Sequence, residues 1–251
     1  MILSQQSEKS LKMSLRKVLY EGKAKQILKG PDKDSLIQVF KDDATAYNKK
    51  KHEIFKSKGV LNNKISEHIM LFLKSKKIPT HFIKRTNDRE QIIKKCEIIP
   101  IEFVIRNTAA GSICQRLGIK EGTKLKKPLL EYYYKEDTLD DPIVSRDHLE
   151  LFGWATKSEI KKIDELSLKI NKYLIQLFKK KGITLVDFKI EFGRLASNKK
   201  KIVLADEISP DSCRLWDTKS KIKLDKDVFR KSLGNLIDAY EEVASRLGIM
   251  H

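Results

Sequence analysis

Leu185-Val-Asp-Phe-Lys-Ile-Glu-Phe192 alternates strictly, with Val186, Phe188, Ile190 and Phe192 on one face of an expected β-strand and Asp187, Lys189 and Glu191 on the other. Three charged groups stand in a row above an apolar floor. A second strand, 201–206, follows across a short polar connection. A two-residue turn at Asn198-Lys199 would set Glu191 directly opposite Asp206, with the Cβ atoms roughly 4.5–5.5 Å apart. Opposed carboxylates repel unless a cation lies between them, and Mg²⁺ commonly takes one or two carboxylates plus nucleotide phosphate oxygens. The competing explanation is an amphipathic surface strand whose Lys189 neutralises its neighbours. A bulge at Gly193 would shift the register.

Outward from this hairpin, apolar residues recur at helical spacing over 156–182, where Thr156 and Glu159 form a capping-box pattern and Gly182 marks the end. A second helix is expected over 62–76, capped by Asn62 or Asn63, with Pro79 beyond its end. A third follows a stripe from Phe229 to Leu247, before Gly248. Short β-like runs at 18–20, 24–28 and 35–40 are separated by Gly22 and by the turn Gly30-Pro31-Asp32, and further strands are expected at 81–85, 91–97 and 100–106. Strands first, then helices and a hairpin without βα alternation, give an α+β fold.

The 251 residues carry 52 Lys+Arg against 34 Asp+Glu, a net charge of +18, with 40% hydrophobic residues. That much apolar residue argues for a folded core and against disorder. The charge favours anions, whether nucleic acid, membrane head groups or phosphorylated metabolites, unless the lysines are only solvated faces. No stretch approaches the roughly 18 apolar residues needed to span a bilayer, and 1–17 has no signal-peptide h-region and reads as a tail. Cys96, Cys114 and Cys213 lack disulfide or zinc spacing and suit a reducing cytoplasm.

Three other stretches are chemically suggestive. Glu21-Gly22-Lys23-Ala24-Lys25 is a glycine turn with two lysines, able to hold phosphate oxygens or to be a charged hairpin tip; it is neither a Walker A nor a GxGxxG sequence. Arg106-Asn-Thr-Ala-Ala-Gly-Ser112 pairs an arginine with small residues that let an oxyanion approach, or places Ser112 as a helix cap. Ser209-Pro-Asp-Ser-Cys-Arg-Leu-Trp-Asp217 is a second arginine loop. Tyr132, Tyr133 and Tyr134 could stack bases or pack a strand.

Six blocks occur in an order that resembles the SAICAR synthetase family, over about 18–247: Tyr20-Glu-Gly-Lys-Ala-Lys25, Asp43-Ala-Thr-Ala-Tyr-Asn48, Gly59-Val-Leu-Asn-Asn63, Val104-Ile-Arg-Asn-Thr-Ala-Ala-Gly-Ser112, Asp187-Phe-Lys-Ile-Glu-Phe-Gly193 and Asp206-Glu-Ile-Ser-Pro-Asp-Ser-Cys-Arg-Leu-Trp-Asp217. The resemblance implies a cytoplasmic ligase of purine biosynthesis. Its substrates would be ATP, L-aspartate and carboxyaminoimidazole ribonucleotide (CAIR), joined through an acyl phosphate with Mg²⁺ present, with no nucleic-acid or membrane partner. It also allows a homo-oligomer. It further implies two lobes, a β-rich nucleotide lobe at 18–104, related to the lobes of kinases and ATP-grasp enzymes, and a substrate and metal lobe at 105–251.

Carried over block by block, the resemblance assigns Lys23 and Lys25 to ATP phosphates and Glu102 to adenine and ribose. Arg106, Ser112 and Arg214 would hold the CAIR phosphate, and Asp211 its ribose. Asp187, Lys189 and Lys135 would line the reacting groups, and Glu191, Asp206 and Asp141 the metal. Two features depart from the pattern: Lys49 replaces a family glycine and opens the run Lys49-Lys50-Lys51, and the 194–200 connection is longer than in some bacterial relatives. The rivals are a basic nucleic-acid-binding protein and a kinase-like phosphotransferase, the latter without His-Arg-Asp or Asp-Phe-Gly signatures.

Overall fold

The computed structural model describes residues 17–46 and 51–249. Apart from Lys17, the expected tail lies outside the described residues, as do Lys49 and Lys50. Lys51 packs inward, its ammonium donating to the Phe229 carbonyl at 2.6 Å.

The early runs form the expected antiparallel sheet. Strands β1 (Val18–Glu21), β2 (Lys25–Lys29) and β3 (Ser35–Phe40) lie in sequence, and a separate hairpin pairs β4 (Asp43–Ala46) with β5 (Lys51–Ile54). After helix α1 (Lys58–Ser75), β6 (Phe82–Arg85) and β7 (Glu90–Lys94) complete a five-stranded sheet in the order β1-β2-β3-β7-β6.

Helix α1 begins four residues before the expected cap. The reason is non-local: the Gly59 N–H donates to the Asp42 carboxylate at 2.9 Å, so a side chain from the bend between β3 and β4 satisfies a first-turn donor. Asn62 and Asn63 are therefore interior helix residues, both buried.

The larger lobe holds a seven-stranded sheet made of β8 (Cys96–Ile98), β9 (Ile101–Thr108), β10 (Lys124–Tyr134), β11 (Ile143–Val144), β12 (Ile183–Leu195), β13 (Asn198–Ala205) and β14 (Cys213–Asp217). Its path is β11-β10-β9-β12-β13, with β14 and β8 also pairing with β12. The sequence-expected divide after 104 falls inside β9, which pairs only within this sheet. We propose instead that the lobes part between β7 and β8.

Short helices α2 (Ser112–Leu117) and α3 (Arg146–Leu151) flank the sheet, and α4 (Lys157–Lys179) covers it. The Thr156 capping box is present, a feature worth about 1 kcal/mol at such positions. Ile163, Ile170, Leu174 and Phe178 of α4 share one core with Leu185, Phe188, Ile190 and Phe192 of β12. Val186 does not: an irregularity between Leu185 and Asp187 turns it to the opposite side, where it packs with Ala110 and Trp216. The C-terminal stripe is likewise broken into α5 (Asp227–Arg230) and α6 (Leu236–Leu247), because Ser232 and Gly234 take positive φ and leave Leu233 exposed. No helix among the described residues is long and apolar enough to cross a membrane.

Candidate functional site

Strand β12 carries the polar row, and its neighbours aim complementary charge at it. Asp187 stands in register with Arg106 of β9 on one side and Arg214 of β14 on the other, while Glu191 stands opposite Ala205 of β13. The expected pairing of Glu191 with Asp206 is thus off by one residue. The turn is at Ala196-Ser197 rather than Asn198-Lys199, and the register slips between Arg194 and Leu195 rather than at Gly193. Asp206 follows the end of β13 at φ +60, a left-handed bend held by His81, whose Nε2 hydrogen-bonds the Asp206 carbonyl at 2.9 Å.

A cleft of about 1170 Å³ opens along this row and is lined by residues of both lobes. Lys23, Lys25, Glu102, Lys135, Asp141, Lys189, Glu191 and Asp206 all line it. A smaller pocket of about 280 Å³ is lined by Arg106, Ser112, Asp187 and Arg214. Glu102, Lys189, Asp211, Ser212 and Lys226 line both, so the two cavities meet there. Every residue that the resemblance assigned to the site lines one cavity or the other.

In the larger cleft the charges interlock. Lys135 donates to both Glu191 oxygens at 2.7 Å, Lys189 to Glu102 at 2.5 Å and Lys23 to Asp137 at 2.6 Å, and Lys25 pairs with Asp206 and Glu207. Burial pushes the Asp206 carboxyl up, but the Lys25, Lys135 and Lys189 ammonium groups outweigh it and hold it below the usual range. Burial and the Asp206 charge push Glu191 up against Lys135. Two carboxylates facing a cleft suit Mg²⁺, which is usually held by one or two such groups together with phosphate and water oxygens. Among the described residues no three His, Cys, Asp or Glu side chains converge as a metal cage. Asp141 faces Glu102, Lys23 and Lys189, and its carboxylate accepts the Glu136 N–H at 3.0 Å. It therefore belongs with Glu102 rather than with the Glu191–Asp206 pair. Ile27, Leu36, Ile93 and Ile98 supply an apolar wall, while the Glu102 carboxylate is turned to Lys189.

In the smaller pocket Arg106 is 2% exposed and its guanidinium is fully engaged, by Glu131, Asp187, the Ala110 carbonyl, Ser112 and Tyr133. It fixes its neighbours more than it offers donors. Arg214 donates to Asp187 at 3.0 Å and Asp227 at 3.0 Å. Its guanidinium lies against Gly111, where an added Cβ would come within 2.4 Å of Nη2. Gly111 also sits at φ +63, so both space and backbone require glycine. Gly111→Ala should therefore displace Arg214 and weaken binding of a phosphate-bearing ligand to this pocket by about tenfold or more. Isothermal titration against the unaltered protein checks this, and equal affinity would mean that Arg214 does not shape the pocket.

Asp211 is fixed by three groups that sequence reading missed as a set: Lys58, Asn62 at 2.9 Å and Tyr240 at 2.5 Å. Lys58 is wholly buried, and the Lys58 and Lys226 charges, with the hydrogen bonds from Lys58 and Tyr240, hold the Asp211 carboxyl well below the usual carboxylate range, despite burial. Lys226 and Arg230 were also missed; their local signal is the polar run Asp225-Lys226-Asp227 interrupting Leu224 to Phe229. Asp225 is buried and accepts the Leu215 and Asp227 N–H groups; burial, together with the Asp227 charge, pushes its carboxyl up to about 7. Of the tyrosines, Tyr132 is buried on Asp164 and Tyr134 stacks on Trp154 at 4.2 Å, so both pack the strand.

A profile of the SAICAR synthetase family matches residues 18–247. Phosphoribosylaminoimidazole-succinocarboxamide synthase 1 of Mesorhizobium japonicum is 58% identical over 240 residues, covering 95% of this chain and 91% of its own. Among solved structures, the phosphoribosylaminoimidazole-succinocarboxamide synthase of Ehrlichia chaffeensis superposes with a TM-score of 0.92 at 51% identity, covering 94% of this chain and all of its own. A SAICAR synthetase solved in complex with ADP gives 0.88 at 48% identity, over 92% of this chain and 97% of its own.

Proposed function

The chain belongs to the SAICAR synthetase family and is a ligase, and from that premise we propose that its joined cavities couple CAIR to L-aspartate at the expense of ATP, giving SAICAR, ADP and phosphate. The observation that carries this reading is the junction itself. A cleft with a lysine turn and paired carboxylates meets an arginine-lined pocket at Lys189 and Asp211.

A carboxylate is a poor acyl donor because its anion resists attack and hydroxide leaves badly. In the proposed path a CAIR carboxylate oxygen attacks the γ-phosphorus and the bond to ADP breaks, leaving an acyl phosphate. The aspartate amine then forms the C–N bond, the C–O bond to phosphorus breaks, and the surplus proton leaves with phosphate or to solvent. No enzyme nucleophile is needed, so positioning and charge neutralisation dominate.

In this scheme Lys23 and Lys25 take the nucleotide phosphates, with the ADP-bound relative supporting nucleotide occupancy. Arg214 and Ser112 take the CAIR phosphate, with Arg106 and Asp187 holding them in place. Asp211 is presented to the ribose by Lys58, Asn62 and Tyr240. Lys189 and Lys135 neutralise charge along the reacting row. Glu191 and Asp206 would hold Mg²⁺, which would supply positive charge to neutralise the nucleotide phosphates. Asp141 would contribute only through the Glu102 group.

The test is to incubate the purified protein with ATP, Mg²⁺ and CAIR, with and without L-aspartate, and to follow ADP and product by mass spectrometry. Aspartate-dependent product in step with ADP is expected. Folded, nucleotide-binding protein that makes none would overturn the reading.

A further inference from the structure

Among the described residues, each lysine lining the larger cleft makes an ion pair or a side-chain hydrogen bond except one. Lys23, Lys25, Lys135 and Lys189 are ion-paired as described, Lys41 donates to Glu21 at 2.9 Å, and Lys94 to the Thr80 carbonyl at 3.3 Å. Lys226 lines both cavities and, among the described residues, makes no ion pair or side-chain hydrogen bond. Its backbone is fixed, because the Lys226 N–H donates to the Pro210 carbonyl at 3.1 Å and its own carbonyl accepts the Arg230 N–H at 3.0 Å. The ammonium is thus held at the junction near Asp211, a carboxylate that is already ion-paired with Lys58.

We infer that Lys226 is a substrate-binding residue, its ammonium receiving an oxyanion at the point where the nucleotide cleft meets the arginine pocket. This rests on the ligase reading, in which the terminal phosphoryl group of ATP and the CAIR carboxylate must meet at such a junction. An unpaired, partly desolvated cation is costly unless something anionic completes it. The surroundings agree. Burial lowers the Lys226 ammonium to about 8; Asp211 opposes that shift, and Arg230, Lys58 and Lys189 add to it. An arriving anion would restore its charge.

The test compares Lys226→Met, of similar length without charge, with Lys226→Arg. Lys226→Met should lower kcat/KM for CAIR by about 100-fold, and Lys226→Arg should recover at least tenfold of that. The thermal midpoint of Lys226→Met should be unchanged or higher, because a desolvated charge has been removed. Direct titration separates the two sources of the oxyanion. Weaker binding of a non-hydrolysable ATP analogue with unchanged ADP binding assigns the terminal phosphoryl; weaker CAIR binding with both nucleotides unchanged assigns the carboxylate. Undiminished turnover, or lost turnover with a lowered midpoint and unaltered binding of all three probes, overturns the inference. An unaltered protein that makes no product would instead sink the ligase reading, and the titrations would still decide whether Lys226 binds an oxyanion.

Discussion

Glu191→Gln should reduce Mg²⁺-dependent turnover by about 10²–10³-fold, the scale on which loss of one preorganised electrostatic contact slows an enzyme. The substitution keeps the shape of the side chain and removes its charge from a position facing the cleft, where Asp206 is its acidic neighbour. It also strips Lys135 of the carboxylate it holds through two hydrogen bonds at 2.7 Å. Asp206→Asn separates the two consequences, because Asp206 is bound instead by Lys25. If the pair holds Mg²⁺, both variants should need a higher magnesium concentration for half-maximal turnover. Activity that matches the unaltered protein across the whole magnesium titration rejects the assignment. Loss in Glu191→Gln alone would point to Lys135 as the affected group.

Asp187→Ala should be the most destabilising change in the site. Asp187 is 3% exposed between two guanidiniums, with Arg106 at 2.7 Å and Arg214 at 3.0 Å. Removing one member of a buried ion-pair set typically costs about 3–5 kcal/mol, because the remaining charge stays desolvated and unpaired. Glu131 and Asp227 still serve the two arginines, which places the expected loss at the lower end, about 3 kcal/mol. Urea denaturation should show a lower midpoint at unchanged slope. The CAIR KM should rise with little change in nucleotide affinity, since Arg214 would lose the group that orients it. An unaltered midpoint together with an unaltered CAIR KM would show that Asp187 neither anchors nor positions the arginines.

The row at 187, 189 and 191 and the Thr156 capping box were legible because each is written within a few neighbouring residues. Strand period, helix period and a cap need no information from elsewhere in the chain. The same holds for the ordered family blocks; that the residues named from the resemblance line two connected cavities is seen only in the structure. What local pattern missed has a common cause. Helix α1 starts early because Asp42 caps Gly59 across the fold, Val186 leaves the expected face because β12 is irregular against β14, and β13 slips by one residue against Glu191. Each depends on a partner that periodicity does not identify.

By itself, then, the sequence determined the α+β order of elements, the charged face of β12 and the membership of the chain in its family. Tertiary structure alone decided which charges neutralise which. It buried Arg106 as a support, brought Lys58 against Asp211 from 153 residues away and left Lys226, among the described residues, without an ion pair where the two cavities meet. The physical reason is that side-chain periodicity specifies a face, whereas an ion pair between distant segments exists only after sheet register and lobe packing have set the distance between them.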